Sequence, residues 1–259
     1  MREIGRKIGL ARTLSKLGYC SRSRAAELTR AGRVTLNGKI RRDPETPVSG
    51  KNHIAVDGKL VDPQAKIYLM LNKPRGVVTT ASDEKGRETV YALLSAKSVA
   101  GNNASPDALP RWLAPVGRLD KASEGLLLLT NDSEWGARIA APEAHLDKTY
   151  HVQVDTVAHE DHLQLLVRGV KAEDGEVLRA RRARLLRAGE KHCWLEIVLE
   201  EGRNRQIRRM MKAMDVEVLR LVRVAIGPLR LGDLAKGQYR SLTAGEKRMV
   251  DREMTEKAS

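Results

Sequence analysis

The 259-residue chain contains no phenylalanine, and its aromatic residues together make up 3%. With so few rings, the core must be built from aliphatic side chains, and each Tyr or Trp near a basic stretch carries more information than usual. Cys20 and Cys193 stand alone, with no second cysteine at metal-ligand spacing. This argues against a disulfide framework and a zinc site and predicts two reduced thiols. No apolar run is long enough to cross a bilayer, and Met1-Arg2-Glu3-Ile4-Gly5-Arg6 lacks the apolar stretch of a signal peptide. A cytoplasmic chain with no membrane partner is therefore expected. There is no phosphate-binding P-loop, no dinucleotide fingerprint and no internal repeat, so no cofactor is expected. Acid is scarce beside base: the net charge is +14, which points to a polyanionic partner, nucleic acid ahead of a membrane surface.

The length suits two domains, and the charge is unevenly shared. Residues 1–60 hold 14 Lys and Arg against 5 Asp and Glu. Leu10, Leu14 and Leu17 share one helical face, and Gly18 stops that helix. Ser21 caps a second helix, which packs through Ala25, Ala26 and Leu28 and ends at Gly32. Val34 and Leu36 alternate up to Asn37-Gly38, a strong hairpin signal, and Ile40 continues beyond it. Arg22, Arg24, Arg33 and Lys39 can ring one face of this module as phosphate contacts, which position RNA without reading its sequence. Turn residues place the boundary near Asp62 to Lys66, giving a first domain over 1–62, a second over 66–245 and a terminal helix and tail over 246–259.

In the second domain, Ile67 to Leu71 reads as a strand entering the loop Asn72-Lys73-Pro74-Arg75-Gly76 and resuming at Val77 to Thr79; Lys73 and Arg75 are candidate RNA contacts. Residues 95–110 lack periodicity and read as a mobile surface loop. Ser133 caps a short helix through Trp135 and Ile139 that stops before Pro142. Lys148 to Val154 alternates, setting Tyr150, Val152 and Val154 on one face. His159-Glu160-Asp161-His162 has the look of a metal cluster, yet acids suit a first helical turn and no further ligands are evident. Val177 to Leu186 reads as a half-exposed basic strand and Cys193 to Leu199 as a core strand. Asn204 then caps a helix with Ile207, Met210, Met211 and Met214 on one stripe and Arg205, Arg208, Arg209 and Lys212 opposite. Val218 to Ile226 is a further strand, and Thr243-Ala244-Gly245-Glu246 is a capping box.

The central stretch is Gly117-Arg118-Leu119-Asp120, followed by Lys121 to Gly125 and four leucines, Leu126 to Leu129, which read as a buried strand. A rigid strand can hold Asp120 at a fixed place for chemistry. From these residues alone, closing a turn by bonding its own backbone is the plainer role for Asp120, and the rest of the chain reverses that order.

Residues 14–18, 21–26 and 32–39 resemble the RNA-binding domain first known in ribosomal protein S-four. Asn72-Lys73-Pro74-Arg75-Gly76-Val77, Gly117-Arg118-Leu119-Asp120, Lys148-Thr149-Tyr150 and Gly202-Arg203-Asn204-Arg205-Gln206-Ile207-Arg208-Arg209-Met210 resemble, in order, the pseudouridine synthases of the RsuA type. The resemblance implies a nucleophilic aspartate at Asp120, a base-stacking tyrosine at Tyr150 and a basic partner of the aspartate at Arg208. Arg118, Arg203, Arg205 and Arg209 join the candidate RNA contacts. It also implies an α+β fold, a small helix and hairpin module before a mostly antiparallel mixed sheet flanked by helices. The expected activity is isomerisation of uridine to pseudouridine in ribosomal RNA, that of the large subunit, by a monomer that meets RNA or an assembly intermediate. Two alternatives stay open: a non-catalytic ribosome-assembly factor, and a synthase acting on small-subunit or transfer RNA.

Overall fold

The computed structural model describes residues 8–80, 86–96, 110 and 112–256. The basic module comprises β1 (Ile8–Gly9), α1 (Leu10–Lys16), α2 (Arg22–Arg30), β2 (Val34–Leu36), β3 (Lys39–Arg41), β4 (Pro47–Val48), β5 (Ile54–Val56) and β6 (Lys59–Leu60). The Ser21 hydroxyl accepts from the Arg24 N–H at 3.1 Å and caps α2. Asn37 and Gly38, both with positive φ, turn β2 into β3, and Asp57-Gly58 repeats the device between β5 and β6; such two-residue turns match the twist of the strands. Leu10, Leu14, Ala25, Leu28, Val34 and Ile54 share the module's core.

The second unit comprises β7 (Tyr68–Lys73), α3 (Val90–Ala96), β8 (Ala114–Val116), β9 (Glu124–Thr130), α4 (Ser133–Ala140), β10 (Lys148–Val154), α5 (Glu160–Arg168), β11 (Val170–Lys171), β12 (Val177–Leu178), β13 (Arg182–Ala188), β14 (Cys193–Leu199), α6 (Gln206–Lys212), β15 (Val218–Ile226), β16 (Leu229–Arg230), β17 (Tyr239–Ser241) and α7 (Ala244–Glu256). Its main sheet runs β13-β14-β10-β15-β9-β7-β17, with β16 on β15 and β8 on β9. All pairs are antiparallel except β15 with β9. The fold is α+β, as the sequence predicts. Residues 97–109 of the expected 95–110 loop lie outside the described residues.

Four consecutive leucines in β9 reflect burial on both faces. Leu127 and Leu129 join one core with Val152, Leu195, Ile197 and the α6 residues Ile207, Met210 and Met211. Leu126 and Leu128 join another with Trp135, Ile139, Val250 and Met254. Each leucine is fully buried, worth roughly 1.5–3 kcal/mol against exposure. This anchors the strand that follows Asp120.

Two caps differ from expectation. Asp132, rather than Ser133, caps α4 by accepting from the Trp135 N–H at 3.2 Å. Arg205, at φ 47°, occupies the N-cap of α6 in place of Asn204. The Val177–Leu186 stretch is also split, into β12 and β13. Thr243 and Glu246 do form the capping box of α7.

The two units are tied where α1 and the segment before β7 meet the end of β9 and α4. The fully buried Asn131 accepts from the Ile67 N–H and donates to the Ala65 carbonyl, both at 2.8 Å. Lys16 of α1 pairs with Glu134 of α4 at 2.6 Å.

Candidate active site

The parallel contact of β15 with β9 covers only Val222–Glu124 and Arg223–Gly125. Gly125 makes that approach possible: its φ is +102°, and a Cβ there would lie 2.2 Å from the Arg223 carbonyl oxygen. Arg223 is buried and its Nε donates to the Leu126 carbonyl at 2.8 Å, linking the two strands. Beside this seam lies a cleft of about 460 Å³ lined by Arg118, Asp120, Lys148, Tyr150, Arg205 and Arg223.

Asp120 sits at the cleft in a loop held by its main chain. Five successive carbonyls each accept a hydrogen bond. Leu119 accepts from the Thr79 hydroxyl at 2.8 Å, Asp120 from Lys73 Nζ at 3.1 Å and the Ser123 N–H at 3.0 Å, and Lys121 from the Gly76 N–H at 2.8 Å. Ala122 accepts from Arg208 Nη2 at 3.2 Å, and Ser123 from Lys73 Nζ at 2.8 Å. The turn is thus closed by backbone, leaving the Asp120 carboxylate, 47% exposed, to meet Arg205 Nε at 3.8 Å.

Lys73 is placed otherwise than a surface RNA contact. It has no exposure, and its ammonium donates to the Pro74, Asp120 and Ser123 carbonyls. Three donors meet three acceptors beneath the loop. Burial brings its pKa down to about 8, against the pull of Asp120 and Glu124. The strand runs straight into this residue because β7 extends to Lys73, and Val78 then makes a single bridge to Thr89.

The two arginines of the α6 start divide their work. Arg205 reaches the carboxylate. Arg208, half-buried, lies behind the loop, donating to the Ala122 carbonyl and to the Val218 carbonyl at 3.3 Å. Burial lowers its pKa, Arg205 lowers it further, and the Asp120 charge opposes both. Tyr150 is buried in the cleft wall, opposite Arg223 on β15.

Other expected contacts scatter. Arg118 is exposed on the cleft and Arg75 lies outside it, toward the Leu219 carbonyl at 3.4 Å. Arg203 lines the cleft while paired with Glu201 at 2.9 Å and with Glu176. Arg209 does not line the cleft and is bound at 2.6 Å to both Asp174 and Glu176. Arg22, Arg24, Arg33 and Lys39 are exposed on the first module; Arg33 pairs bidentately with Asp57 and Arg24 with Glu27. Sequence reasoning did not single out Arg223 or Thr79, and quoted Lys148 only within the Lys148-Thr149-Tyr150 stretch. Only an arginine set between valines, Val222-Arg223-Val224, gave a signal for the first.

A family model described as RNA pseudouridylate synthase matches residues 67–213, and one for the S4 domain matches residues 8–54. The ribosomal large subunit pseudouridine synthase B of Bacillus subtilis is 36% identical over 239 residues, covering 92% of this chain and 93% of that protein. An uncharacterized RNA pseudouridine synthase of Aquifex aeolicus is 36% identical over 242 residues, covering 93% and 92%. Among solved structures, a pseudouridylate synthase crystal structure matches with a TM-score of 0.63 and 28% identity, covering 94% of this chain and 99% of that one.

Proposed function

Because the chain belongs to the RNA pseudouridylate synthase family and is an enzyme of that type, we propose that it isomerises uridine in ribosomal RNA of the large subunit, with Asp120 as nucleophile. The observation that carries this reading is the pairing of a fixed backbone with an accessible carboxylate: five carbonyls around Asp120 are held while its side chain faces the cleft. The ribosomal target is supported by the name of the Bacillus relative and its near-complete coverage.

The reaction conserves every atom. The bond from uracil N1 to the ribose breaks, the ring turns, and C5 bonds to the ribose; C5 loses a proton and N1 gains one. No oxidant, reductant or energy source is consumed. The target leaves its stack at a cost of a few kcal/mol. Tyr150 offsets part of it by stacking on the extruded uracil, where base–aromatic contact is worth about 1–3 kcal/mol. Arg205 Nε lies 3.8 Å from the carboxylate, and Arg208 fixes the loop that carries it. Arg118 fills the vacated place or holds a neighbouring phosphate. The basic module docks the RNA, or an assembly intermediate, in the cytoplasm.

Asp120→Asn tests the assignment. It should bind transcribed ribosomal RNA within about twofold of the parent and form no pseudouridine, read by mass spectrometry of digested RNA. Residual turnover in that variant removes Asp120 from the chemistry.

A further inference from the structure

Side chains alternate across the sheet, so β10 and β15 present Tyr150, Leu221 and Arg223 to one face and His151, Gln153, Arg220 and Val222 to the other. On that second face, His151 and Gln153 of β10, Trp194 and Glu196 of β14 and Arg184 of β13 belong to neither apolar core. A shallow cavity of about 430 Å³ opens there.

Its centre is Trp194. One row of the sheet reads Arg187, Trp194, Gln153, Arg220 across four strands. The Arg187 guanidinium lies 5.2 Å from the indole centroid and that of Arg220 lies 5.5 Å from it. The two differ in how firmly they are held. Arg220 is fixed by Glu124 at 3.0 and 3.1 Å. Arg187 has no carboxylate partner among the described residues, and it follows a bulge at Leu186 on an edge strand. The carboxylates here are already shared: Glu196 is met by Arg182, Arg184 and His151, and Glu124 by Arg220 and Lys236. The patch is therefore net positive around a half-buried indole, in a chain with three tryptophans.

We propose that this open sheet face is a second RNA-docking site, in which an unpaired nucleotide of the substrate stacks on Trp194 and its phosphate takes Arg187. The proposal rests on the chain's RNA substrate and on nothing about which uridine is modified. A base has a π-face whatever its identity, so such a platform tolerates sequence. A guanidinium held only by the ring can move to the phosphate beside the incoming base, exchanging one weak interaction for a charged one. Trp194 lies three residues along β10 from the register of Tyr150, roughly 10 Å, and on the opposite face. The nucleotide it takes is therefore not the target but one reached by RNA passing round the end of the sheet.

The full-length protein can be tested by fluorescence and filter binding with transcribed large- and small-subunit ribosomal RNA. RNA should quench indole emission in the parent, and Trp194→Phe should lose most of that quenching while keeping affinity within about threefold. Trp194→Ala should weaken binding roughly tenfold, the range stacking on one base gives, with kcat at saturating RNA little changed. Arg187→Ala should weaken binding and reduce the salt slope by about one. Unchanged affinity in Trp194→Ala overturns the proposal. Normal RNA binding with defective modification only on assembling particles would also overturn it, placing a protein on this face. Failure of the parent to form pseudouridine in either RNA would count against the ribosomal target, while the affinity comparison would still decide the docking face.

Discussion

Replacing Lys73 by Met removes a buried cation of similar length and isolates what its ammonium does. Three carbonyls, of Pro74, Asp120 and Ser123, lose their donor. Each buried acceptor left without a partner costs about 1–3 kcal/mol, so the gross loss is roughly 3–9 kcal/mol, less where Asp120 keeps its bond from the Ser123 N–H. Against this, removing the charge recovers its desolvation: a pKa brought from 10.5 to about 8 corresponds to about 3 kcal/mol. The net destabilisation should be a few kcal/mol at pH 7, with a larger relative fall in kcat because the Asp120 and Ser123 carbonyls lose the donor they share. The pH dependence is more specific. The folded pKa is the lower one, so between about 8 and 10.5 the unfolded chain holds the proton more tightly, and folding stability from this group rises with pH in that window. Below about 8 it is flat. Urea melts of parent and variant from pH 7 to 10.5 should therefore diverge, the parent gaining relative to Lys73→Met. Parallel curves would refute the assignment of Lys73 as a buried ammonium, and unchanged kcat would refute its role in placing the loop.

Gly125→Ala should be severe, since its Cβ would meet the Arg223 backbone at 2.2 Å and φ is +102°; a loss on the order of 3 kcal/mol or more should lower Tm by roughly 6 to 12 °C, and a normal melt would show that β9 and β15 do not need this close approach. Neutralising Arg22, Arg24 and Arg33 together should weaken RNA binding and flatten its salt dependence, by at most about 0.9 in slope for each phosphate the module no longer neutralises; a change in kcat alone would remove the module from docking.

Much of the scaffold is legible in sequence because local chemistry demands it. Asn37-Gly38 and Asp57-Gly58 need two positive φ angles, the four leucines of β9 need cover on both sides, and the methionine stripe of α6 needs a sheet to rest on. Sheet order is not legible, since alternation gives strands without neighbours, and the parallel seam of β9 with β15 depends on Gly125 meeting a residue far along the chain. The site is hardest where a residue's surroundings come from elsewhere. Lys73 sits among Pro, Arg and Gly and reads as a surface loop; the carbonyls of Pro74, Asp120 and Ser123 make it internal. Arg205 and Arg208 both fall on the polar side of a helix, and which one reaches Asp120 is set by the left-handed Arg205 backbone at the N-cap. Trp194 gave no motif at all, its neighbours being cross-strand.

An anchorage made wholly of main-chain oxygens has a consequence for variation. A peptide carbonyl is the same whatever side chain it carries, so Lys121 and Ala122 can be exchanged without loosening the grip on their loop. Substrate preference can therefore drift at the rim while the carboxylate keeps its coordinates, and the residues that must stay constant are the distant donors rather than their neighbours in sequence.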